Sequence, residues 1–109
     1  MSDAPSISAE MEILKEEIHL ISTFNHAWKI AQDRWGTESP VSHILRDRKT
    51  RHQIFLLRNF SSYVNLIPHS EEDGEPLYSI RLTEPIVLSS GVVRTDADHI
   101  PVRIIDDLL

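Results

Sequence analysis

The chain has 109 residues, no cysteine and a formal net charge of −6. Its length suits one domain with a real core, and an apolar share of 40% with only three glycines excludes disordered, collagenous and low-complexity classes. The lack of cysteine excludes disulfides, thiolate catalysis, cysteine-ligated zinc and iron–sulfur clusters, and an acidic chain is a poor non-specific binder of nucleic acid.

The first predicted element is a long amphipathic helix over residues 8–35. Ile7, Met11, Leu14, Ile18, Ile21, Asn25, Trp28, Gln32 and Trp35 recur at alternating four- and three-residue spacing, which places them on one helical face. The 3.5-residue mean is that of a helix packing along a partner helix. Ser6 or Ser8 is the expected cap, with Glu10 and Glu12 in the first turn, where carboxylates favour the positive end. Trp35-Gly36 is the stop signal. Unbroken from Ala9 to Trp35, the helix is ~40 Å long, against a diameter of about 34 Å for a compact domain of this size. It therefore pairs with another copy or breaks, and Ser22-Thr23-Phe24-Asn25 is its weakest stretch. Self-association into a homodimer is expected through Leu14, Ile18, Ile21, Trp28 and Trp35, with Asn25 and Gln32 setting the register. The same stripe also suits a helix lying on its own sheet.

Ser39-Pro40 opens a short second helix over residues 40–50, with a capping hydroxyl followed by proline at the first helical position. Val41, Ile44 and Leu45 give it an apolar face. From residue 53 the pattern reads as a sheet region. Ile54-Phe55-Leu56-Leu57 is an apolar run suited to a central strand, although periodicity alone leaves a buried helix open. Tyr63 to Ile67 reads as a strand ended by Pro68. The polar loop to Pro76 contains the turn former Asp73-Gly74. Leu77 to Thr83 alternates as a strand, which Pro85 breaks. Ile86 to Val93 reads as a tight hairpin with Gly91 in the left-handed position. Val102 to Leu109 is a last strand or a short helix with Val102, Ile105, Leu108 and Leu109 inward. Helices followed by strands argue a single α+β domain, with a small, mainly antiparallel sheet of four to five strands.

Charge is uneven. Residues 46–58 hold five Lys/Arg and one Asp, while residues 1–45 hold three against seven and residues 59–109 three against nine. The island Arg46, Arg48, Lys49 and Arg51 can bind an anion or nucleic-acid phosphate. Asp47 inside it, the lack of interleaved aromatics and the acidic remainder make nucleic acid a poor fit. The plain alternative is a solvated helix end, where cations are favoured.

The six histidines give no metal site. His19 and His26 lie ~10 Å apart along a helix axis, too far for one ion. There is no nucleophile elbow, phosphate-cradling glycine loop or His-Glu-x-x-His, so neither catalytic residues nor a cofactor is assigned. The start lacks the layout of a signal peptide, and no apolar run approaches the ~20 residues of a membrane span. A cytoplasmic, non-catalytic interaction or regulatory module is therefore expected, self-associating through its first helix and meeting a protein partner. Anion or nucleic-acid binding through residues 46–58 is the alternative. A nucleotide-associated α/β fragment is the third possibility, resting on Ile54–Leu57 as a strand that runs into the polar loop after it.

Overall fold

A computed structural model describes residues 4–69 and 74–108, with side chains in 9–69 and 74–107. The expected turn at Asp73-Gly74 and the inward side chains of Ile7, Leu108 and Leu109 fall outside that description. Helix α1 (Ala4–Trp35) is already running at Ala4, so Ser6 and Ser8 lie within it and do not cap it. It does not break at residues 22–25. Phe24 stacks on His52 of the second helix, with ring centroids 5.6 Å apart, and the Ser22 hydroxyl accepts from Arg94 Nη1 at 3.1 Å. Tertiary contacts of this kind override weak local propensity. The 32-residue helix spans roughly 48 Å, nearly the whole 52 Å length of the molecule.

Gly36 ends α1 with φ 92°, as a C-terminal glycine should. Ser39 caps α2 (Pro40–Asn59) by accepting from the Ser42 amide at 3.1 Å, and Pro40 takes the first helical position. The second helix is 20 residues long, well past the expected end at residue 50. Ile54–Leu57 belongs to its last turns and is not a strand. The reason lies in the spacing: Lys49, Gln53, Leu56 and Phe60 are buried at four-, three- and four-residue intervals, so one helical face is buried while Phe55 faces solvent. The nucleotide-binding possibility loses its strand with this correction.

Among the described residues three strands follow, not four or five. After a 3-10 turn at Ser61–Tyr63 come β1 (Val64–His69), β2 (Leu77–Val87) and β3 (Val93–Pro101). They form one antiparallel sheet in the order β1-β2-β3. Two expected strands merge because Pro85 does not end β2. It falls where pairing is suspended between Arg81↔Asp96 and Ile86↔Arg94, so its missing N–H breaks no ladder bond. The β2–β3 turn closes as expected, with the Leu88 amide donating to Val92 O at 2.8 Å and Gly91 at φ 92°. Val102–Leu108 is the short helix α3, with Ile105 buried.

The α1–α2 hairpin lies on the sheet. Leu14, Ile18 and Ile21 of α1 meet Leu56 and Phe60 at the end of α2 in one core with Val64, Ile80, Ile86, Ala97 and Ile100. Burial of this apolar surface is what holds the two layers together.

Candidate functional site

Near the middle of β3 the ladder carries an extra residue. Ser79 pairs with His99 and Arg81 with Asp96, so Ala97 and Asp98 together face Ile80. Asp98 takes φ 63° to make this bulge, a conformation that aspartate tolerates better than most residues. Gln53 of α2 fits against the bulge. Its Nε2 donates to Ala97 O at 2.9 Å and to His99 O at 3.0 Å. The bulge thus fixes a polar side chain in the middle of the helix–sheet interface.

Beside it opens a cleft of about 360 Å³. Helix α1 contributes Asn25, Trp28 and Lys29, spaced to share one face. Helix α2 contributes Arg46, Lys49, Thr50 and Gln53 at three-, one- and three-residue steps, again one face. The sheet end supplies Leu77, Asp98, His99 and Pro101, and Glu75 stands at the loop before β2.

Lys49 is the unusual member. It is 6% exposed, and its ammonium lies over the Trp28 ring at 4.9 Å from the centroid. Burial pushes its pKa down from 10.5 to about 8; Asp98 opposes that shift, and Lys29 and Arg46 add to it. The carboxylates nearby are engaged elsewhere. Asp98 Oδ1 pairs with Arg94 Nη2 at 3.3 Å, and Glu75 pairs with Arg103 at 2.9 Å. Among the described residues, Lys29, Arg46 and Lys49 have no ion-pair partner. Two acceptors in the cleft walls, Gln53 Oε1 and Asp98 Oδ2, are buried without a hydrogen bond among the described residues. His99 is held below its ordinary pKa by burial, then by His69, whose ring centroid is 4.5 Å away, and by Lys49. The described residues bring no three His, Asp or Glu side chains together as a metal site.

The basic island divides. Arg46 and Lys49 face the cleft, while Arg48 and Arg51 are exposed and do not line it. The self-association set divides too. Leu14, Ile18 and Ile21 are fully buried in the chain's own core, Trp28 lines the cleft, and Trp35 is 58% exposed. Sequence reasoning missed Lys29, Gln53, Asp98 and His99. A signal for Gln53 was present: Arg46, Lys49 and Gln53 repeat at helical spacing once α2 is read to its true end. Asp98 had no local signal, because a bulge depends on the partner strand.

No protein-family model, curated protein or solved structure matches the chain. Among the described residues no helix is long and apolar enough to cross a membrane.

Proposed function

We propose that this protein is a cytoplasmic, non-catalytic binding module whose cleft takes a small anionic group, a carboxylate or phosphate. The observation that carries this is the buried Lys49 ammonium without an ion-pair partner among the described residues. Buried charges are ordinarily paired, and an uncompensated one costs several kcal/mol. A ligand anion supplies the missing charge, with Arg46 and Lys29 in the same walls adding to the attraction. The test is a titration of the full chain with acetate and with inorganic phosphate at low salt, followed by amide and indole chemical shifts. Saturable shifts at Trp28, Gln53 and His99 are expected, with binding about tenfold weaker in Lys49→Met. A cleft that neither anion perturbs sinks the proposal.

Self-association is a second proposal, with a relocated surface. The core has absorbed Leu14, Ile18 and Ile21, but Ile30, Trp35, Val41 and Ile44 remain 43–58% exposed on either side of the Gly36 turn. Apolar side chains of this size, one of them tryptophan, suit a contact with a second copy or a protein partner. Mass by light scattering across a concentration series tests it: a concentration-dependent dimer is expected, and a monomer throughout removes it.

A further inference from the structure

We propose that Lys49 condenses reversibly with small anionic carbonyl compounds, 2-oxo acids, to form an imine inside the cleft. This rests on the cleft being a small-anion site and names the ligand class for it. An amine suited to this chemistry is reachable by the ligand, free of a competing ion pair, and set beside groups that hold the rest of the molecule. Lys49 lines the cleft and has no ion-pair partner among the described residues. Lys29 and Arg46 line the same cleft, so the carboxylate of such a ligand has cations to pair with beside the amine. Burial and neighbouring cations both favour the neutral, nucleophilic amine, in line with a pKa lowered to about 8.

The chemistry balances without an added reagent. The neutral amine adds to the carbonyl carbon, and the carbonyl oxygen leaves as water with the two amine hydrogens. A C=N bond replaces the C=O bond. Asp98 acts electrostatically on Lys49 and has an unbonded Oδ2 among the described residues. Its charge favours the protonated imine.

The full chain carries three lysines, Lys15, Lys29 and Lys49; Lys15 does not line the cleft and serves as the control, and Lys29 reports on the cleft wall. Glyoxylate is the probe, with cyanoborohydride to reduce any imine to a stable secondary amine, and peptide mass mapping to locate it. Lys49 is expected to be modified about tenfold faster than Lys15, Lys29 or the terminal amine. With acetaldehyde, which has no carboxylate to hold, the preference over Lys15 and Lys29 should shrink to what the lowered Lys49 pKa alone supplies, and the preference over the terminal amine should disappear. Equal modification of the three lysines by glyoxylate overturns the imine. Acetate titration of the same sample separates the two levels of the claim. Acetate binding without selective modification of Lys49 rejects the imine and leaves the anion site standing; no binding and no selectivity reject both.

Discussion

The Lys49 ammonium lies 4.9 Å from the centroid of the Trp28 ring and joins the second helix to the first. A cation over an aromatic face contributes about 0.5–2 kcal/mol. Taking an ammonium out of water costs several kcal/mol. The ring therefore offsets only part of the burial, and the lowered pKa records the remainder.

That imbalance fixes a pH dependence of stability. Between pH 8 and 10.5 the unfolded chain holds the Lys49 proton and the folded chain does not. Stability from this group therefore rises with pH across that window, and its cost, roughly 3 kcal/mol, is complete below pH 8. Lys49→Met keeps the apolar stem and removes the charge. Urea unfolding should find it more stable than wild type at pH 7 by about 1–3 kcal/mol, with the gap narrowing at pH 10. A variant less stable at pH 7 would mean that the ammonium is fully compensated in solution.

Gln53 should be costly to replace. Its amide donates to two carbonyls of the β3 bulge, and Leu at this position removes both bonds. Gln53→Leu is expected to lose about 2–4 kcal/mol in denaturant unfolding. Gln53→Glu should lose more at pH 7, because a carboxylate oxygen would face carbonyl oxygens. A Leu variant as stable as wild type would show that the bulge relaxes or hydrates without its glutamine.

Much of this architecture is legible in local chemistry. The Ser39-Pro40 start, the Gly36 stop and the Gly91 turn are set by dihedral and capping preferences within a few residues. Ile54–Leu57 misleads because four consecutive apolar residues satisfy a strand and a helix alike, and only the partners of Gln53 and Leu56 decide between them. Pro85 misleads in the opposite direction, since its effect depends on whether the facing strand needs its N–H. The cleft is the least legible feature. Trp28 and Lys49 each stand out in the sequence, but their meeting depends on how α1 and α2 pack, and Asp98 joins them through a register shift in the sheet.

The apolar stripe of α1 serves two different surfaces, and two substitutions separate them. Ile18 is fully buried, so Ile18→Ala should cost about 2–5 kcal/mol of stability. Trp35 is 58% exposed, and Trp35→Ser should change stability by no more than about 0.5 kcal/mol. If copies associate through the Gly36 end of the hairpin, Trp35→Ser lowers the dimer fraction seen by light scattering. A dimer that persists in Trp35→Ser places the contact elsewhere.

The divided basic island gives the sharpest contrast for anion binding. Arg46 lines the cleft, whereas Arg48 and Arg51 do not. Arg46→Gln should weaken acetate or phosphate binding by about fivefold to tenfold, the loss of one charge-assisted contact. Arg48→Gln and Arg51→Gln should leave it within about twofold, since exposed charges outside the cleft are screened by water and salt. The pH profile follows from Lys49. A protonated ammonium attracts the anion, and its pKa is about 8, so affinity should hold below pH 8 and fall above it. In Lys49→Met that fall should vanish. Equal effects from Arg46→Gln and Arg48→Gln would instead assign binding to a diffuse basic surface, with no special role for the buried lysine.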